Sequence, residues 1–105
     1  MDHLNSAFVV IISDEAVKML VNHARFLAQA SEAAAERLIA EFEASANSLA
    51  IFPERNAWLD DPVIPKGKYR KHLLAKTYLL IYQVKGSHVY VDAVVDCRQD
   101  YRWLL

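Results

Sequence analysis

The sequence predicts an α+β fold: an N-terminal strand, an antiparallel helical hairpin, then a three-stranded antiparallel meander with the helices packed on one sheet face. Three observations predict it. Strand chemistry, rich in Val, Ile, Leu and Tyr, is concentrated in Tyr69 to Leu74, Thr77 to Lys85 and His88 to Cys97, separated by only two residues each time. Two amphipathic helical patterns abut at Ala30-Ser31 with no spacer, which implies a hairpin. A wholly apolar, β-branched run, FVVII, precedes them.

Phe8 to Ile12 reads as a strand buried on both faces, since no polar residue interrupts it. Ser13 or Asp14 caps the helix that follows, and Asp14 and Glu15 suit the positive end of its dipole. Val17, Leu20, Val21, Ala24, Leu27 and Ala28 then fall on one face at helical spacing, opposite Lys18, Asn22, Arg25 and Gln29, for about four turns. Ser31 and Glu32 open the second helix. Its buried stripe is Ala35, Leu38, Ile39, Phe42, Ala46 and Leu49, its wet side Glu36, Arg37, Glu43 and Asn47, and Phe52-Pro53 ends it.

Residues 53–67, PERNAWLDDPVIPKG, hold all three prolines and form the one long irregular connection. Trp58 and Leu59 are too apolar for a free loop, so the segment folds back on the core or forms a ligand-binding loop. In the meander, Gly86 takes positive φ in the second turn, whereas the first, at Ala75-Lys76, has no such residue. Along the last strand Val89, Val91, Ala93 and Val95 face a core, and Tyr90, Asp92, Val94 and Asp96 face away. The same period puts Arg70 and His72 on one face, roughly 7 Å apart, with Tyr69, Lys71 and Leu73 on the other.

At 105 residues the chain forms one domain, 1–105, and 54% hydrophobic residues argue against disorder. No apolar run approaches a membrane span and MDHLNSAF has no basic region ahead of a greasy one, so the expected location is cytoplasmic, without membrane contact. The single Cys97 fits a reducing compartment and reads as a small core residue rather than a nucleophile. Charge is split. Residues 1–65 carry four basic and ten acidic side chains, a net of −6, and residues 66–105 carry eight and three, a net of +5. The basic half permits a polyanionic or acidic partner, although a solvated charged face is the commoner explanation for any one cluster.

Two glycines and one cysteine leave no phosphate-binding loop and no CxxC, and there is no HExxH. His3, His23, His72 and His88 are too scattered for a metal site, so no metal or cofactor is expected. What remains is a group of cations and aromatics: Arg70, Lys71, His72, Arg98, Tyr101 and Trp103. Cutting RNA without a metal needs a base, an acid and cations for the charge that develops on phosphate. Arg70 and Arg98 suit phosphate, His72 suits proton transfer near neutral pH, and Tyr101 suits proton donation or stacking. Lys68, Lys71, Lys76 and Arg102 add charge for binding RNA or another target. Tyr101, Trp103, Leu104 and Leu105 are equally consistent with docking the C-terminus on the core.

The order of elements, with PER after the second helix, YLLIYQV in the middle strand and CRQDYRWLL at the end, resembles the RelE/ParE family of bacterial toxins from type II toxin-antitoxin operons. The resemblance spans about Phe8 to Leu105. It implies a small cytoplasmic toxin neutralised by a cognate antitoxin, acting either as a RelE-like endoribonuclease on ribosome-bound mRNA or as a ParE-like inhibitor of DNA gyrase. It also admits a homologue that has lost activity. On the ribonuclease reading, Arg70 and His72 lie where those enzymes place basic residues on the second strand of the fold, Arg98 matches the basic residue after the last strand, and Tyr101 matches the tyrosine that follows. One position departs from the pattern: the middle strand reads Tyr78-Leu79 where the ribonucleases carry Tyr-Arg.

Overall fold

The computed structural model describes residues 7–97. The elements run β1 (Val9–Ile12), α1 (Asp14–Ala28), α2 (Glu32–Ser48), a 3₁₀ turn at Pro53–Arg55, β2 (Arg70–Leu74), β3 (Tyr78–Lys85) and β4 (His88–Asp96). Both helices start as the sequence requires. The hydroxyl of Ser13 accepts from the Ala16 amide at 3.0 Å, and that of Ser31 accepts from Ala34 at 3.1 Å.

The four strands form one sheet in the order β1-β4-β3-β2. The meander is antiparallel and β1 joins it parallel to β4, with Val9 opposite His88 and Ile12 opposite Val91. β3 is therefore a central strand, buried through Tyr78 to Tyr82 on both faces. On one face Leu74, Tyr78, Leu80, Tyr82, Val89, Val91 and Val94 pack with Ala16, Leu20, Leu38, Phe42, Ala46 and Leu49 of the helices. On the other, Leu79, Ile81, Ala93 and Val95 meet Leu59, Ile64 and Tyr69, so residues 57–67 return to cover half of that face.

Several expectations are corrected. FVVII is not buried on both faces: β1 is an edge strand, with Val9 52% and Ile11 41% exposed, because nothing packs against its outer side or its non-helical face among the described residues. Val89, Val91, Ala93 and Val95 do not share a face. The pairing shifts between Ile81 opposite Ala93 and Tyr82 opposite Val91, leaving Asp92 as an extra residue that reverses the alternation. Cys97 is exposed, since β4 ends at Asp96 and its amide merely closes the sheet end on the Thr77 carbonyl at 2.9 Å. The α1 stripe is rotated toward Ala16 and Met19, which leaves Val17, Val21 and Ala28 at the surface, and Ile39 of α2 is likewise exposed.

Gly86 has φ 59, as expected of its turn. The first turn uses Ala75 at φ 46 and Lys76 at φ 70, left-handed positions without a glycine. The Glu41 carboxylate of α2, accepting from the Ala75 amide at 2.7 Å, helps hold this geometry.

Candidate functional site

The site forms where the chain leaves α2 and crosses to the β2 edge. Helix ends leave carbonyls without partners, and Arg55, seven residues past the end of α2, answers this need. Its guanidinium donates to the carbonyls of Ser48 (3.2 Å), Ile51 (2.7 Å) and Phe52 (3.1 Å) and to the Ser48 hydroxyl (2.7 Å). The arginine of PER is thus a helix cap, and Phe52 is held at φ 52 beside it. Beneath the turn, the buried Tyr82 hydroxyl donates to the Pro53 carbonyl at 2.5 Å and accepts from the Asn56 amide at 3.1 Å. Burial disfavours the phenolate and raises the Tyr82 pKa, with the Asn56 bond and the Arg70 and Arg55 cations opposing.

Asn56 is the hub. Its carbonyl accepts from Arg70 at 2.7 Å, and its side-chain oxygen lies 3.4 Å from His72 Nδ1. Arg70 also stacks on Trp58, 3.7 Å from the ring centre. Trp58 faces Arg70 as an added rung of the sheet: the Leu59 amide donates to the Tyr69 carbonyl at 2.7 Å and the Lys71 amide to that of Ala57 at 3.0 Å. Leu59 is buried, so the irregular segment folds back as expected, and Trp58 does so by lying against a cation. The His72 pKa is lowered, first by burial and then by the Arg55 charge, against an opposing pull from Glu41, and the net shift favours the neutral imidazole.

Past Ala57 the β2 edge is uncovered, and a cleft of about 480 Å³ opens there, lined by Asn56, Ala57, Lys71, His72, Leu73 and Leu79. Leu73 is 55% exposed, while Leu79, where the ribonucleases have arginine, is 8% exposed within the Leu59 and Ile64 cluster. Of the residues singled out from sequence, Lys71 and His72 line the cleft and Arg70 lies beside it on Asn56, with Arg70 and His72 on the helical face as their pairing with Tyr82 and Leu80 requires. Lys68 lies apart, 5.2 Å over the Tyr69 ring, and Lys76 occupies the exposed first turn. Arg98, Tyr101, Arg102 and Trp103 lie outside the described residues.

Asn56, Tyr82 and the capping role of Arg55 escaped sequence reasoning. An arginine a few residues past a helix end is a usable signal for the cap, whereas nothing local marks Asn56. Among the described residues no three His, Cys, Asp or Glu side chains gather as a metal site, and no helix is long and apolar enough to cross a membrane.

A four-stranded mixed sheet with a helical hairpin on one face is the architecture of a small toxin of the RelE/ParE type. A solved structure described as the chromosomal ParDE TA system from P. aeruginosa shares this fold, with a TM-score of 0.68 over 87% of this chain and 97% of that one at 12% identity. The family model described as ParE toxin of type II toxin-antitoxin system, parDE, matches residues 10–101, and the chain belongs to that family. No curated protein matches it.

Proposed function

We propose that this type II toxin acts by binding DNA gyrase, without cutting RNA, and is held inactive by a cognate antitoxin. The observation that carries the reading is the chemistry of the cleft. Leu79 and Leu73 give it an apolar lining, and by the family resemblance Leu79 stands where the ribonucleases carry a phosphate-binding arginine. Arg70 is already engaged by the Asn56 carbonyl and the Trp58 ring, so no uncommitted arginine faces the cleft among the described residues. Cation stabilisation of a phosphorane-like transition state is worth several kcal/mol, and among the described residues the cleft offers for it only Lys71. An apolar depression with Lys71 at its rim instead suits a side chain of a protein partner.

A second reading, ribosome-dependent mRNA cleavage by Arg70, His72, Arg98 and Tyr101, is favoured by His72 lining the cleft with its pKa lowered by burial, which suits a proton acceptor. The two separate in one experiment. Purified toxin is added to a gyrase supercoiling assay, and messages from cells expressing it are mapped by primer extension. Loss of supercoiling with intact messages is expected; new message ends with supercoiling unaffected overturn the gyrase reading.

A further inference from the structure

The hydrogen bonds around Asn56 run in one direction. The Pro53 carbonyl can only accept, so at 2.5 Å the single phenolic hydrogen of Tyr82 is committed to it. With its hydrogen so placed, the Tyr82 oxygen can only accept from Asn56 at 3.1 Å, which turns the Asn56 Nδ2 group toward Tyr82. Asn56 Oδ1 is left facing His72 Nδ1, 3.4 Å away, and two lone pairs cannot share that contact. Nδ1 must therefore carry a proton. An amide orientation is set by its network, and here a backbone carbonyl of fixed role sets it. His23 is anchored the other way: its Nε2 lies 2.9 Å from the Val94 carbonyl and so carries the hydrogen there.

We propose that Tyr82 and Asn56 are positioning residues that hold neutral His72 as its Nδ1–H tautomer, so that Nε2 is the hydrogen-bond acceptor offered to the cleft and the side chain received there carries an N–H or O–H at its tip. The His72 ring lines the cleft, and Nε2 has no hydrogen-bond partner among the described residues. Burial favours the neutral ring, the only form with an acceptor nitrogen. The rest of the lining is apolar at Leu73 and Leu79, and Lys71 disfavours a cationic donor. An apolar body with a neutral donor tip satisfies all three, which is the chemistry of tyrosine and tryptophan, the side chains that most often anchor protein interfaces. The tautomer rests on the hydrogen bonds alone, whereas the occupant rests on the gyrase reading.

Two readouts on the full chain separate these claims. Side-chain nitrogen NMR spectra at about pH 8.5, roughly two units above the ordinary histidine value, distinguish a protonated ring nitrogen from a bare one. His72 should show Nδ1 protonated and Nε2 bare, with its signals assigned by their absence from His72→Gln and with His23, protonated at Nε2, as the internal reference. Tyr82→Phe frees the Asn56 amide to turn and should move His72 toward a mixture of tautomers. An Nε2–H pattern for His72 in the wild type, or a pattern unchanged by Tyr82→Phe, overturns the positioning. The occupant is read from inhibition of gyrase supercoiling. His72→Phe fills the position without an acceptor and should weaken inhibition about tenfold, the loss of one hydrogen bond, and His72→Gln, whose amide oxygen accepts a hydrogen bond, should recover most of it. Equal inhibition by wild type and His72→Phe overturns the donor-bearing occupant. A wild-type toxin that leaves supercoiling untouched overturns gyrase as the partner, and this occupant with it, while the spectra still decide the tautomer.

Discussion

The Tyr82 hydroxyl donates a 2.5 Å hydrogen bond to the Pro53 carbonyl and so ties the central strand to the turn that closes α2. The oxygen accepts from Asn56 as well, and through Asn56 the same contact governs where Arg70 and His72 lie. One buried phenol therefore connects the core to the cleft.

Tyr82→Phe keeps the ring and removes the oxygen, leaving the Pro53 carbonyl and the Asn56 amide without this partner. Loss of one partner of a buried polar pair costs about 1–3 kcal/mol, so the urea midpoint should fall with the slope unchanged. The raised pKa gives an alkaline signature. The folded state keeps the phenolic proton above pH 10, where the unfolded chain loses it, so wild-type stability declines as pH rises from 10 through the higher folded value. The phenylalanine variant lacks that part of the decline.

At acid pH the residue to watch is His72. Its folded pKa lies below the ordinary 6.5, so between the two values the unfolded chain binds more protons. Stability contributed by His72 is present above pH 6.5 and is lost as pH falls through the folded value. Urea midpoints at pH 7.5 and 5.5 should differ more for wild type than for His72→Gln, and equal differences would show that His72 does not titrate this way.

Arg55→Ala removes two hydrogen bonds to Ser48 at the end of α2, two to the Ile51 and Phe52 carbonyls of the turn beyond it, and a cation from the negative end of the helix dipole. The group is exposed, so the expected cost is about 1–2 kcal/mol rather than the sum of four bonds. Arg55→Lys should recover little, because an ammonium cannot span three carbonyls and a hydroxyl with a planar fork. Thermal unfolding of the two variants checks this.

Lys76→Gly should stabilise the protein. Lys76 is exposed at φ 70, and a left-handed residue with a Cβ costs roughly 1–2 kcal/mol that glycine avoids. Part of the gain is offset by the extra freedom of glycine in the unfolded chain, leaving about 0.5–1 kcal/mol. Calorimetry should show a Tm higher by several degrees, and an unchanged or lower Tm would indicate that the turn is not strained.

Fold legibility followed periodicity. Both helices, all four strands and the glycine turn were readable because each rests on a local pattern or cap, as with Ser13, Ser31 and Gly86. What escaped depends on tertiary facts that no local pattern encodes. FVVII gives the same apolar run whether it sits centrally or at an edge, and its parallel pairing with β4 was invisible. The bulge at Asp92 broke an alternation that looked uninterrupted in sequence. In the site, the shared face of Arg70 and His72 was legible from the strand period, but their convergence on Asn56 depends on how residues 53–67 return, which their three prolines obscure rather than specify.

Leu73→Asp is the sharpest functional prediction, since it changes the cleft without touching the core. Leu73 lines the cleft and is largely exposed, so the variant should fold with a urea midpoint close to wild type. If the cleft receives an apolar side chain of gyrase, placing a carboxylate there desolvates an unpaired charge on binding, and inhibition of supercoiling should weaken by at least about tenfold. A ribonuclease would respond differently. Its cleavage should be lost on His72→Gln, which removes the proton acceptor, while gyrase inhibition by His72→Gln should change little because the cleft keeps its apolar lining. Measuring both variants in both assays separates the mechanisms: a Leu73→Asp toxin that still blocks gyrase at wild-type concentration removes the cleft from the proposed interface.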